Sequence, residues 1–213
     1  MTRHARSERL LLCDELERLG PDRPTLCEGW QTRDLAAHLF VRENRPDLSV
    51  GRYLPFLEGH LDREQGKIAR GDYAAVLDRV RRGAPAWNPM SNAKVDEVTN
   101  LIEYFVHHED VRRAQPGWTP RDLEPQLAGK LWSALRRSAR LMFRKVPTGI
   151  VLIAEGRGRY AAKLPDEHGT VILRGPVGEL VLYAYGRKDV ARVGFEGDAD
   201  DIAALQGAEL GIS

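Results

Sequence analysis

Hydrophobic residues recur at helical spacing along the first two thirds of the chain, and glycine or proline follows most of these runs. Apolar positions three and four residues apart form one face of a helix, whereas glycine and proline disfavour its continuation. Because the connections are short, we expect consecutive helices to pack side by side as an up-and-down bundle. The five predicted helices span residues 3–19, 32–43, 57–82, 95–114 and 125–144.

After Pro147 the pattern changes to short β-branched or alternating runs bounded by glycine and proline, which predict strands. A domain of this small size is only marginally stable on its own, so we expect it to pack on the bundle. The sequence therefore predicts a mostly α, α+β chain, with a helical bundle over residues 1–146 and a small α+β domain over residues 147–213. The strands are expected at 149–155, 158–164, 170–175 and 190–197, and further helices at 175–188 and 198–207.

One glycine motif in this second part needs an interpretation. Residues 156–161, GRGRYA, match the G-x-G-x-x-A pattern of dinucleotide-binding loops. That function requires a helix directly after the glycines, but here another strand-like run follows. We interpret the motif as the turn of a β-hairpin.

Composition and charge exclude several classes of function. Hydrophobic residues make up 42% and charged residues 30%, which is typical of an ordered globular protein. Lysine and arginine number 32 against 31 for aspartate and glutamate, so the net charge of +1 gives no reason to expect binding to nucleic acid or to an anionic membrane. No apolar run approaches the roughly 20 residues of a membrane span, and the N-terminus lacks the apolar stretch of a signal peptide.

The two cysteines, Cys13 and Cys27, have no CxxC spacing. Two unpaired thiols in a chain of this size are typical of a cytoplasmic protein. We expect each cysteine to behave as a small buried apolar residue, because nothing nearby in the sequence would lower the pKa of its thiol.

The helix predicted over residues 95–114 carries the candidate chemistry. On a helical wheel its hydrophobic residues share one broad face, and a line of polar side chains occupies the opposite face. By amphipathicity alone this line should face water, and Glu and His one turn apart are a common surface pair. We call this line the polar stripe; it consists of Asp96, Asn100, Glu103, His107 and Asp110.

A second interpretation of the same residues is that they form part of a metal-binding site. Glu103 and His107 are one helical turn apart, a spacing that lets a carboxylate and an imidazole share one ion. The predicted helix 32–43 is apolar nearly all round, and His38 interrupts it. A lone histidine in a helix is more often structural, but two imidazoles and one carboxylate from two helices suit Zn²⁺, Fe²⁺, Co²⁺ or Ni²⁺ and leave coordination positions open.

Two acidic residues lie one turn from these histidines along the chain. Asp110 could orient His107, and Asp34 could orient His38, as carboxylates commonly do for metal-binding imidazoles. Both are equally consistent with plain acidic residues on a helix surface.

Two segments resemble a known family. PTLCEGWQTRDLAAHL, residues 24–39, and EYFVHHEDVRRA, residues 103–114, resemble the metal-binding domain of the mycothiol-dependent maleylpyruvate isomerase family, part of the DinB-like four-helix-bundle group. Residues 175–205 are similar to the small C-terminal α+β domain of those proteins. The similarity is to an actinobacterial subgroup of uncharacterised metal-binding proteins rather than to the isomerase itself.

The resemblance implies a site and an activity. The family's metal ligands correspond to His38, Glu103 and His107, which implies that the polar stripe faces the interior of the molecule. It also implies a low-molecular-weight thiol cofactor such as mycothiol, with Arg187 of the C-terminal domain helping to bind it.

The function that we expect is that of a metal-dependent enzyme, with zinc as the expected metal. It would use a small-molecule thiol and an electrophilic substrate, as an S-transferase or an isomerase, or it would cleave a thiol conjugate. Two alternatives stay open at this point. The chain could be a non-catalytic protein that binds a metal or a small ligand. It could also be a metal-free helical bundle whose polar stripe is exposed to solvent. We expect a monomer or a homodimer.

Overall fold

The structure is a computed structural model that describes residues 3–45, 55–165 and 168–211. Helices predominate, and a small sheet is confined to the C-terminal part, so the predicted mostly α, α+β class is confirmed. The chain divides into two compact units, Met1–Trp118 and Thr119–Ser213.

The first unit is helical. Its helices are α1 (His4–Leu19), α2 (Thr32–Asn44), α3 (Pro55–Ala69), α4 (Tyr73–Arg82) and α5 (Ala93–Arg113), with a 3-10 turn at Pro89–Ser91. Helix α1 packs along α5, and α2 packs on α3 and α4. The core between them is aliphatic, with one aromatic ring, and includes Leu12, Leu16, Leu35, Leu39, Val80 and Tyr104.

The segment predicted as one helix over residues 57–82 is two helices, so that prediction was wrong. The break lies at Gly71 and Asp72. Asp72 caps α4, since its side chain accepts a hydrogen bond of 3.1 Å from the backbone N–H of Ala75. Aspartate at this position satisfies an amide that the first turn of a helix leaves without a partner. Both flanking segments keep the helical hydrophobic period, which concealed the break.

Helix α5 is enclosed on more sides than its amphipathicity indicates. Its apolar face is buried at Leu101 and Phe105, but Asp96, Asn100 and Asp110 of the polar stripe are buried as well. The wheel assigned Val98 to the buried face, and its side chain is instead 64% exposed. The interpretation from amphipathicity alone, that the polar stripe faces water, was therefore wrong, and the burial of these residues agrees with the interior position that the family resemblance implies.

The second unit combines three helices with one sheet. Helix α6 (Pro125–Met142) precedes strands β1 (Gly149–Ala154), β2 (Gly158–Lys163) and β3 (Thr170–Gly175), and helix α7 (Val177–Ala184), strand β4 (Gly194–Glu196) and helix α8 (Ala199–Gly207) follow. The strand order is β2-β1-β3-β4, in which β1 pairs antiparallel with β2 and parallel with β3. Buried side chains of β1 and β3, such as Leu152 and Leu173, form the core of this unit.

Helix α6 belongs to the second unit because it packs on β2 and α7. The domain limits expected from the sequence, 1–146 and 147–213, place α6 with the bundle and so differ from the division seen here. The sequence pattern carries no information on that choice, since α6 is an amphipathic helix that could cover either unit.

The GRGRYA motif covers the end of the turn between β1 and β2 and the first four residues of β2. The two strands pair directly, with Ala154 opposite Gly158, and strand β2 follows the glycines where a dinucleotide-binding loop would have a helix. Gly156 and Gly158 adopt positive φ values of 66° and 89°, which a tight turn requires and glycine adopts without strain. The structure thus agrees with the hairpin interpretation.

Among the described residues, no helix combines the length and the apolar character that crossing a membrane demands.

Candidate metal centre

Helices α2 and α5 bring His38, Glu103 and His107 together. Glu103 Oε1 lies 3.2 Å from His38 Nε2 and 3.3 Å from His107 Nε2. The three side chains offer ligand atoms that all lie within 4.8 Å of one another. The two histidine rings also meet edge to face, with their centroids 5.2 Å apart.

The spacing of these atoms suits a metal ion. A tetrahedral ion with bonds of about 2.0–2.3 Å separates its ligand atoms by about 3.3–3.8 Å. The two nitrogen-to-oxygen distances of 3.2 and 3.3 Å therefore need only small movements to accept an ion. Two nitrogens and one carboxylate oxygen are a donor set for Zn²⁺ and similar cations, with a coordination position left for a further ligand.

The site is enclosed but reachable. The side chains of His38, His107 and Glu103 are 4%, 12% and 22% exposed, so Glu103 marks the side that opens to solvent. Such a partly enclosed site strengthens electrostatic interactions while leaving a path for a small molecule.

The charges of the site are strongly coupled. Burial alone would raise the pKa of the Glu103 carboxyl, but hydrogen bonds from His107 and His38 and the charge of Arg42 hold that pKa well below its usual range. Burial alone would lower the pKa of His107, but its contacts with Asp110, Cys27 and Glu103 raise that pKa well above the usual value. The metal-free site thus holds an ionised carboxylate beside a protonated imidazole.

Asp110 makes the contact that an orienting role for His107 requires. Its Oδ2 lies 2.9 Å from His107 Nδ1, and its side chain is fully buried. This contact directs the other ring nitrogen, Nε2, toward Glu103. A carboxylate on the far nitrogen of a ligating histidine fixes the tautomer and raises the basicity of the ligand atom.

Asp34 has a different contact from the one predicted. Its Oδ2 accepts a hydrogen bond of 2.9 Å from the backbone N–H of Gln31. The side chain of Gln31 in turn accepts from the backbone N–H of Asp34, so the two residues form a capping box at the start of α2. Gln31 is the N-cap, and Thr32 is the first helical residue, as the predicted start of this helix requires. An orienting role of Asp34 toward His38 stays a prediction.

Arg42 links the site to a buried polar network. Its Nε lies 3.3 Å from Glu103 Oε1, its Nη2 donates to the backbone carbonyl of Thr99, and its Nη1 donates to Asn100 Oδ1. Because His38 and Arg42 of α2 meet residues of α5 in reverse order along the chain, the two helices run antiparallel. Polar side chains, rather than aliphatic ones, thus join α2 to α5 around the site.

The loop before α2 contacts both histidines, and no pattern in the sequence predicts these contacts. Cys27 Sγ lies 3.4 Å from Asp110 Oδ2 and 3.9 Å from His107 Nδ1. The ring of Trp30 lies 5.2 Å from that of His38. The prediction that Cys27 is only a small buried apolar residue was wrong, because the thiol is half-buried beside two polar groups. The clue available in the sequence was its place in the family-like segment, five residues before Thr32.

Arg187 lies in the second unit, in the turn after α7. Its Nη1 donates a hydrogen bond of 2.6 Å to the backbone carbonyl of Tyr185. A role in binding a thiol cofactor stays a prediction.

These observations define the class of the chain, a mostly α, α+β protein with a helical unit followed by a unit that carries a small mixed sheet. Two solved structures share its fold. The crystal structure of the mycothiol-dependent maleylpyruvate isomerase matches with a TM-score of 0.58 and 17% sequence identity, over 91% of this chain and 90% of that chain. A histidine-to-alanine mutant of that isomerase matches with a TM-score of 0.60 and 16% identity over the same shares.

The resemblance that the sequence predicted is therefore confirmed at the level of the fold. No family model matches the chain, and no curated protein matches it.

Proposed function

We propose that this protein is a metal-dependent enzyme that uses or acts on a low-molecular-weight thiol, in transfer, isomerisation or cleavage of a conjugate. The observation that carries the proposal is the meeting of His38, Glu103 and His107 from two helices at distances that suit one cation. The fold shared with a mycothiol-dependent isomerase supports the choice of a thiol as the reacting group.

The donor set fits a divalent cation, with zinc as the proposed metal. Two imidazole nitrogens and one carboxylate are the ligand types of catalytic zinc sites that keep a position open for substrate. When bound, such a cation would act as a Lewis acid and lower the pKa of a thiol that reaches it.

The chain's own residues prepare this site in three ways. Asp110 holds His107 by Nδ1, which leaves Nε2 directed at the site. Arg42 and the two histidines keep the Glu103 carboxylate ionised, so it is available as a ligand at neutral pH. The loop residue Trp30 packs beside His38 and limits the movement of its ring.

We further propose mycothiol or a similar thiol as the cofactor, with Arg187 contributing to its binding. An arginine suits a thiol cofactor that carries polar or anionic groups, because its guanidinium donates several hydrogen bonds in a fixed plane. Arg187→Ala should raise the KM for the thiol and leave the metal content unchanged. An unchanged KM would remove Arg187 from the proposal without affecting the metal site.

The metal content of the purified protein tests the ligand assignment. In a Cys27→Ser background, which removes the thiol beside His107, elemental mass spectrometry should find about one equivalent of metal in the parent protein and far less after His38→Ala or Glu103→Ala, since each loses one of three ligands. His60→Ala serves as the matched control, because His60 is an exposed histidine of α3 outside the site. Equal metal content in all four proteins would contradict the assignment.

A reaction screen then separates an enzyme from a binding protein. The zinc-loaded protein is mixed with mycothiol and electrophilic substrates, including maleylpyruvate, and the rate is followed with and without thiol. A rate that needs both metal and thiol supports the enzyme. Metal binding without turnover over the whole screen would favour the alternative, a non-catalytic protein that binds a metal or a small ligand.

A further inference from the structure

The geometry points to a second metal-binding site, formed by Cys27, His107 and Asp110 on the opposite side of the His107 ring from Glu103. This site would take a thiophilic divalent cation such as Cd²⁺ or Zn²⁺. It does not rest on the proposed function, because neither His38 nor Glu103 belongs to it.

The distances among the three donor atoms support this inference. Cys27 Sγ to Asp110 Oδ2 is 3.4 Å, Cys27 Sγ to His107 Nδ1 is 3.9 Å, and His107 Nδ1 to Asp110 Oδ2 is 2.9 Å. A tetrahedral ion spaces such atoms by about 3.3–3.8 Å, so the His107-to-Asp110 distance must lengthen by about 0.4–0.9 Å, while the two distances to the sulfur already lie within or close to this range. The triangle therefore needs a larger adjustment to accept an ion than the two printed distances of the first site do, and that adjustment falls mainly on one contact.

The chemistry of the donors indicates the class of ion. A thiolate with an imidazole and a carboxylate suits borderline and soft divalent cations, whereas Mg²⁺ and Ca²⁺ prefer oxygen ligands alone. Cys27 is half-buried, whereas Asp110 is fully buried.

The loop that carries Cys27 is held in place by its own hydrogen bonds. The Cys27 N–H donates to Thr25 Oγ1, and the Thr25 N–H donates to the carbonyl of Trp30. The Leu26 N–H donates to the backbone carbonyl of Asp110, which fixes the loop against α5. A cysteine positioned this way is preorganised toward the other two donors, and such preorganisation lowers the cost of binding.

Binding at this site changes the protonation of its residues in a defined way. The Cys27 thiol releases its proton to solvent as the sulfur becomes a thiolate ligand. The Nδ1 proton of His107 is likewise released to solvent, so that the Nδ1 lone pair binds the cation and the neutral imidazole keeps its proton on Nε2. The same ring then no longer serves as a ligand through Nε2, and the two sites are alternatives.

The test uses Cd²⁺ as the probe, in a variant that lacks the first site. His38→Ala/Glu103→Gln retains all three donors of the second site, and its folding is checked by circular dichroism. Titration with Cd²⁺ should produce the ultraviolet thiolate-to-cadmium charge-transfer band and saturate at about one equivalent. If the double variant does not fold, the single variant Glu103→Gln carries the same titration.

Two cysteine variants complete the test. Adding Cys27→Ser should abolish the band and weaken Cd²⁺ binding at least tenfold, since a hydroxyl is a poor ligand for a soft ion. Adding Cys13→Ala should leave both unchanged, because Cys13 lies fully buried in the core of the bundle. Absence of the band in the folded parent variant, or its persistence after Cys27→Ser, would overturn the inference.

Discussion

Replacing Asp110 by Asn should weaken metal binding at the first site without unfolding the protein. The substitution keeps the size of the side chain and an oxygen that can accept from His107 Nδ1, but it removes the negative charge. In the native chain this hydrogen bond is 2.9 Å long, and the Asp110 side chain that accepts it is fully buried. The substitution therefore weakens the hydrogen bond between residue 110 and His107 but leaves the packing around it unchanged.

The size of the effect follows from the kind of hydrogen bond that is lost. A hydrogen bond to a charged group contributes about 1.5–3 kcal/mol, against about 0.5–1.5 kcal/mol for a neutral one. The difference of about 1–1.5 kcal/mol corresponds to roughly a tenfold change in an equilibrium constant. Loss of such an outer partner of a ligating histidine typically costs about 10–100-fold in metal affinity. We therefore expect zinc to bind Asp110→Asn at least tenfold more weakly.

The assay is competition for zinc against a chelator of known affinity. Asp110→Asn and its parent both carry Cys27→Ser. The assay then measures zinc binding only at the site formed by His38, Glu103 and His107. Thermal unfolding of the metal-free proteins checks that Asp110→Asn is folded. A folded variant that binds zinc within about twofold of its parent would refute the argument that Asp110 strengthens His107 as a ligand.

Three further predictions follow from the structure. Arg42→Met should weaken zinc binding about tenfold, and Arg42→Lys less so, because Arg42 orients the Glu103 carboxylate; isothermal titration measures both. Tyr104→Phe should lower the free energy of unfolding by about 1–3 kcal/mol, because it removes a buried hydroxyl that donates to Glu43, and urea denaturation measures the loss. Burial raises the pKa of the Cys13 thiol from 9.0 to about 12, so the unfolded chain loses this proton first and stability falls as the pH rises through that range. Cys13→Ala should reduce the loss of stability between neutral pH and about pH 10, as measured by urea denaturation at both values.

The fold was predictable where the pattern of hydrophobic residues is local. The switch from helical to strand periodicity after Pro147 located the sheet, and the glycines of the β1–β2 turn are explained by their positive φ values. Packing between elements was not predictable in the same way. Helix α6 has an apolar face that fits either unit, and only its contacts with β2 and α7 decide where it belongs.

Amphipathicity predicted the wrong environment for the polar face of α5. Polar residues can lie inside a protein when other protein groups, rather than water, supply their hydrogen bonds. Arg9 supplies them at one end, since its guanidinium bonds to Asp96, Glu43 and Tyr104. Asn100 joins that group through its own bonds to Asp96 and Glu43. These partners lie on α1 and α2 as well as on α5, so a helical wheel drawn from one segment has no means of revealing them.

The candidate ligands were predictable because two features coincide in the sequence. Glu103 and His107 are one turn apart on α5, and His38 interrupts an apolar helix that resembles the matching segment of a metal-binding family. Cys27 shows the limit of the same reasoning, since it meets His107 only through the fold, 80 residues further along the chain. No periodicity connects a loop residue to a helix that distant, so the contact required a structure.

The electrostatics of the site give an argument for a cation that is independent of the resemblance. His107 lies between two carboxylates, with Glu103 at Nε2 and Asp110 at Nδ1. These neighbours outweigh the effect of burial and raise the pKa of His107 well above its usual value, so the metal-free site holds a proton there. The two carboxylates need compensating positive charge; Arg42 supplies part of it at Glu103, and a proton or a metal ion at His107 can supply more. A divalent cation bound at Nε2 would displace the Nε2 proton and leave the Nδ1 contact with Asp110 in place. The arrangement that holds the proton is therefore also the one that would bind the metal.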